Sequence, residues 1–143
     1  MKFLHLRKWK KRIGQRGENA ACALLEDEGC SVLARNCRLS SGGELDIVAR
    51  DGDTLVFTEV KTRFHKPGLA AEDIMPERNL KPSQKRRIVR GAFAYLRALE
   101  YPQLNVRFDL IEVLFNRLGV ELIQHHPNAF DASVLRKHTE NFY

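Results

Sequence analysis

Glu44-Leu45-Asp46-Ile47-Val48, then Asp51-Gly52, then Phe57-Thr58-Glu59-Val60-Lys61 constrains this chain more than any other stretch, because it reads as a hairpin that gathers acids and a lysine. Both arms alternate with the two-residue period of a strand, and Asp-Gly is the strongest short-range hairpin signal. With Asp51 and Gly52 as the turn, Arg50 faces Asp53, Val48 faces Leu55, Asp46 faces Phe57 and Glu44 faces Glu59. Glu44, Asp46, Glu59 and Lys61 are then expected on one face, with Glu44 beside Glu59 and Asp46 diagonal to it. Direct neighbours lie about 4.5–5.5 Å apart at Cβ and diagonal ones about 7–8 Å, so these carboxylates repel.

A divalent cation between Asp46 and Glu59 would remove the conflict, since carboxylate oxygens suit magnesium or manganese. Lys61, two residues beyond Glu59, is placed to meet a phosphate or orient an attacking water. These residue types at this spacing suit phosphodiester hydrolysis. A Glu-x-Lys on a strand more often lies on a solvated face. Here Leu45, Ile47, Val56 and Val60 are expected on the far face, and Val48, Leu55 and Phe57 among the acids. Both faces then look covered, as in a central sheet, and covered acids need a cation or a hydrogen-bonded partner. A slip of one residue in register would send Asp46 to the face opposite Glu59.

At 143 residues, 43% hydrophobic and 29% charged, the chain has the size and composition of one globular domain. Its net charge of +6 and pI near 9.5 favour a polyanionic partner, nucleic acid being the commonest, although ribosome-associated and membrane-surface proteins share this trait. Cys22, Cys30 and Cys37 are odd in number and lack a C-x-x-C spacing, which argues against a zinc knuckle or disulfide framework and for a reducing compartment. No apolar run approaches the about 20 residues of a membrane span, and the basic N-terminal segment lacks a signal-peptide core. The expectation is a cytoplasmic protein without a membrane partner.

In chain order, a basic arm (residues 1–13) precedes a helix from about Gly14 to Glu28, stopped by Gly29, with Ala20, Ala21, Leu24 and Leu25 inward. A strand is expected over 31–39, with a turn at Ser40-Ser41-Gly42-Gly43 leading into the acidic hairpin. Residues 63–82 lack a period, and loops of that length are usually functional or mobile. Ser83 is the expected N-cap of a helix to about Glu100, in which Ile88, Ala92, Tyr95, Leu96 and Leu99 recur at helical spacing. Its other side carries Lys85, Arg86, Arg87, Arg90 and Arg97, either a solvated cationic face or a set of phosphate contacts. Strands over 105–114 and 119–123 close the domain, and 124–143 reads as a ragged tail. His125 and His126 are adjacent and point apart, which weighs against metal ligation.

Gly14-x-x-Gly17-Glu18-x-x-Ala21, Gly43-Glu44-Leu45-Asp46-Ile47-Val48-Ala49, Leu55-Val56-Phe57-Thr58-Glu59-Val60-Lys61-Thr62-Arg63 and Arg107-Phe108-Asp109-Leu110, in that order, resemble the YraN-like family of bacterial proteins over roughly residues 14–130. That family is similar to archaeal Holliday junction resolvases and to the restriction-endonuclease-like PD-(D/E)XK superfamily. The resemblance implies an α/β fold in α-β-β-β-α-β order, with a mixed central β-sheet flanked by helices. It divides the chain into the arm (1–13), a nuclease-like domain (14–130) and a C-terminal tail (131–143).

Carried over by position, the resemblance makes Asp46 and Glu59 ligands of Mg²⁺ or Mn²⁺, with the Val60 carbonyl as a further oxygen and Glu18 completing the shell. It makes Lys61 the catalytic lysine and gives Gln84 the place of a polar residue found near the second long helix of related nucleases. Lys85, Arg86, Arg87, Arg90 and Arg63 are the expected nucleic-acid contacts. Thr58 departs from the apolar residue usual before the glutamate, and Glu44 lies outside the general nuclease signature. The expectation is a metal-dependent endonuclease acting on DNA, branched DNA included, with a homodimer implied by the resemblance. The alternatives are a non-catalytic nucleic-acid-binding module on the same fold and a scaffold for another protein.

Overall fold

Strands that are apolar on both faces need a layer on each side. The computed structural model, which describes residues 2–39, 43–65, 67–70 and 80–132, supplies both layers. The elements are α1 (Lys2–Asp27), β1 (Ser31–Arg38), β2 (Glu44–Asp51), β3 (Thr54–Phe64), α2 (Pro82–Ala98), β4 (Asn105–Asn116) and β5 (Gly119–Phe130). The strands form one mixed five-stranded sheet in the order β1-β2-β3-β4-β5. Neighbours are antiparallel except β3 and β4, which run parallel because α2 carries the chain back between them. This is an α/β domain consistent with a restriction-endonuclease-like core.

Each helix covers one face. Ile13, Ala21, Cys22 and Leu25 of α1 pack on Ile47, Ala49, Val56, Ile111, Val113 and Phe115. Ile88, Val89, Ala92 and Leu96 of α2 pack on Leu45, Val48, Leu55, Phe57, Phe108, Leu110 and Phe130. A Cβ on Gly17 would lie 2.0 Å from Thr62 Oγ1, so only glycine lets α1 cross β3 this closely. That contact sets the neighbouring residue, Glu18, at the edge of the sheet's opening. Thr58 is buried under α1, and among the described residues its hydroxyl has no hydrogen-bond partner. Thr58→Val keeps the shape and removes the stranded hydroxyl, so urea unfolding should show a gain of about 1 kcal/mol.

Several local expectations are corrected. The helix expected from Gly14 begins at Lys2, so the basic segment is its first turns. Lys81, followed by Pro82 in the first turn, occupies the N-cap place expected of Ser83. β5 continues through His125 and His126 to Phe130, where a tail was expected, because Ile111 pairs with His125 and Leu110 with His126. The hairpin turn is Gly52-Asp53, with Gly52 at φ +56° and Asp51 facing Thr54. Every cross-strand partner in the hairpin therefore moves by two residues, so that Val48 faces Phe57 where Leu55 was expected. The expected turn at 40–42, the middle of the 63–82 loop (71–79) and the tail beyond 132 lie outside the described residues.

Candidate active site at the opening between two strands

The β2–β3 pairing ends at Ile47 and Thr58. Beyond it the Asp46 carboxylate takes the place of a ladder carbonyl, its Oδ2 accepting the Val60 N–H at 2.9 Å. Alternation breaks here: Asp46 lines the α1 side and so does Ile47, while Leu45 joins Val48 on the α2 side. The expected grouping of Leu45 with Ile47 is thereby overturned, and so is the single face for all the acids. Glu44 and Asp46 line a cleft under α1, whereas Glu59 follows Phe57 to the α2 side, where Arg87 lies 3.6 Å from its Oε1.

The carboxyls of Asp46 and Glu59 nevertheless interact, since the Val60 N–H holds Asp46 against β3. Burial, the Asp46 charge and a hydrogen bond with the Asp46 carboxyl push Glu59 up to about 8, against the lowering influence of Arg87 and Lys61. Glu18, buried on α1, is also raised, chiefly by desolvation, although Arg35 Nε lies 3.1 Å from its Oε1. The Asp46 charge adds to that rise. Asp46, Glu59 and Glu18 thus form one electrostatically linked chain, with an arginine at each end.

Lys61 is half-buried and pairs in register with Glu112 of β4, itself buried and 3.0 Å from His126 Nε2. Val60 and Thr62 line the α1-side cleft. Gln84 is turned to its own helix: its Oε1 accepts the Lys81 N–H at 3.0 Å, which caps α2. Of the expected nucleic-acid contacts, Arg87 faces Glu59 and Lys85 lies 6.0 Å from the Phe130 ring centroid. Arg86 is half-buried, and Arg90 and Arg63 are exposed. His125 and His126 do point apart: His125 joins Glu28 and Asp109, His126 joins Glu112.

The partners that single-strand periodicity missed are Arg35, Glu112 and the cleft residues Lys11, Asn36 and Arg38. Their roles depend on contacts between elements, for which the chain carries no local signal.

Among the described residues, no group of three His, Cys, Asp or Glu side chains is arranged to hold a metal ion. The two meeting carboxyls still suit magnesium, which is commonly held by one or two carboxylates, with waters and substrate phosphates filling the remaining positions.

A mixed sheet between two helices, opened over a linked set of acids, defines an α/β protein with a largely buried acidic site where the pairing of two central strands gives out. Residues 17–113 match the Uncharacterised protein family UPF0102, and the chain belongs to that family. It is 43% identical over 125 residues to a UPF0102 protein of Pelotomaculum thermopropionicum, covering 85% of this chain and 97% of that one. It is 40% identical over 121 residues to UPF0102 protein GSU0650 of Geobacter sulfurreducens, covering 85% and 90%. No helix among the described residues is long and apolar enough to cross a membrane.

Proposed function

We propose that this protein is a metal-dependent nuclease whose centre is the meeting point of Asp46 and Glu59. The supporting observation is the interacting carboxyl pair itself, Glu59 buried and Asp46 half-buried. Two interacting acids disfavour double ionisation, and a divalent cation reverses the preference. Asp46 and Glu59 would hold Mg²⁺ or Mn²⁺, with Glu18 and the Val60 carbonyl beside them. Such an ion, when bound, polarises a phosphoryl oxygen and makes water more acidic. Asp46 is oriented by the Val60 N–H, and Glu59 would hold the ion as its carboxylate. Lys61 steadies negative charge developing on the phosphate. Gln84 stabilises the start of α2, which carries Arg87 to Glu59. The protein would act on DNA in the cytoplasm, and a homodimer would suit a branched substrate with two related strands.

Cleavage of matched linear, flapped and four-way DNA with Mg²⁺ or Mn²⁺ tests this directly. Lys61→Ala and Asp46→Ala should each lose about 10²–10³-fold in rate with the fold intact. Undiminished cutting by both variants would place the chemistry elsewhere.

The Arg87 contact with Glu59 favours a second reading, a nucleic-acid-binding module in which an internal cation replaces the metal. That reading gains if the protein takes up no Mn²⁺ at millimolar concentration, and loses if it binds Mn²⁺ and Asp46→Ala does not.

A further inference from the structure

Cations stand on both sides of the acids, and the two sets differ in what surrounds them. On α2, Arg87 is drawn to Glu59 and Lys85 to the Phe130 ring. On the α1 side a cleft of about 520 Å³ opens directly onto Asp46, with Glu18 and Glu44 beside it, Lys11 of α1 on its wall, and Arg38 of β1 opposite Glu44 in register. Among the described residues, neither Lys11 nor Arg38 has an ion-pair partner.

Gly14 lines the same cleft from the interior of α1. Glycine there weakens a helix, yet a Cβ on Gly14 would meet nothing within 4 Å, so packing within the protein does not demand it. What its bare backbone preserves is open space in the cleft. Across that space stands Asn36, a side-chain amide on a left-handed residue of β1 with φ 50°.

From these observations we infer that the α1-side cleft seats the phosphodiester backbone of the nucleic acid, in place of the basic face of α2. Lys11 and Arg38 lie on its phosphates, Asn36, whose amide also hydrogen-bonds Glu18, turns its remaining N–H to them, and Gly14 leaves room for the strand to pass. This inference rests on the nuclease reading and deepens it. The Lys11 and Arg38 charges would hold the strand over Asp46, the member of the acid pair that lines this cleft, with Glu59 reached through Asp46 from the other side of the sheet.

The test is fluorescence polarisation of a labelled oligonucleotide, single-stranded and duplex, in EDTA across a salt series. Lys11→Ala combined with Arg38→Ala should weaken binding at least about tenfold and reduce the log–log salt slope by about 1.4–1.8, the loss of two phosphate contacts. Arg86→Ala combined with Arg90→Ala should lose less affinity than the Lys11/Arg38 variant does. Gly14→Leu should lose affinity without losing thermal stability, and Gly14→Ala should raise Tm by about 2–4 °C, which separates cleft blockage from misfolding. An unchanged slope in the Lys11/Arg38 variant, or a loss confined to the α2 variant, overturns the inference and leaves the nuclease reading standing. No binding by the native chain at low salt would overturn both.

Discussion

Glu59→Gln is expected to make the metal-free protein more stable above pH 8, by an amount on the order of a few kcal/mol. The folded protein holds the Glu59 proton up to about pH 8, whereas the unfolded chain releases it near 4.5. Between those values the folded state binds more protons, so stability falls as pH rises, and the full penalty is present above the folded pKa. Glutamine cannot ionise, so urea unfolding in EDTA from pH 5 to 9 should show a flatter profile for the variant. Retention of the native slope would mean that the Asp46–Glu59 meeting does not store this energy. The same variant should bind Mn²⁺ more weakly, since it lacks one carboxylate. A gain in stability joined to a loss of ligand affinity is the signature of a site held under electrostatic strain for function.

The second large effect lies on the adjacent strand, where Asp109 of β4 pairs in register with Thr58. Asp109 is fully buried, with Arg107 Nε at 2.9 Å and Nη2 at 3.0 Å, His125 Nε2 at 2.7 Å and the Asn128 N–H at 2.9 Å. Burial alone would raise its pKa, but hydrogen bonds from His125, Arg107 and Asn128 together hold it below the usual value. His125 also faces Glu28 at 2.8 Å, so each ring nitrogen meets a carboxylate. Asp109's hydrogen bond, against the opposing cost of burial, raises the imidazole pKa.

Asp109→Ala should therefore cost about 3–5 kcal/mol in urea unfolding, because it leaves buried donors uncompensated. The His125 contribution is full below its unfolded pKa near 6.5 and is lost as pH rises through the elevated folded value. The Asp109 contribution is present above 3.8 and is lost as pH falls through the depressed folded value. His125 and Glu59 both weaken the fold with rising pH, so Glu59→Gln should leave a residual slope that the added change His125→Gln reduces. A cost for Asp109→Ala no larger than that of an exposed surface change would show that the network is not a staple.

The α/β class, the helical face of α1 and the hairpin were legible because period-two and helical spacing are local properties of the chain. The hairpin register was not, because Asp51-Gly52 and Gly52-Asp53 are both sound turn pairs, and the left-handed φ of Gly52 decides between them only in three dimensions. The shift moved partners by two and preserved parity, so the break at Asp46 and Ile47, and not the turn, is what divides the acids between the faces. Single-strand alternation has no means of showing such a break. Acid spacing and the resemblance both point to Asp46 and Glu59, the resemblance alone to Glu18, and the structure brings the three into electrostatic contact. The resemblance points to Gln84 near the start of a helix, a place that also suits a cap, which is the bond it makes.

The basic N-terminal segment is the start of a 26-residue helix, about 39 Å long, with Trp9 edge-on to Phe64 at 5.6 Å. A floppy arm would search for its target and lose entropy on finding it. A rigid rod instead carries its cations at fixed intervals, like the marks on a ruler, so any partner must match the spacing it already has.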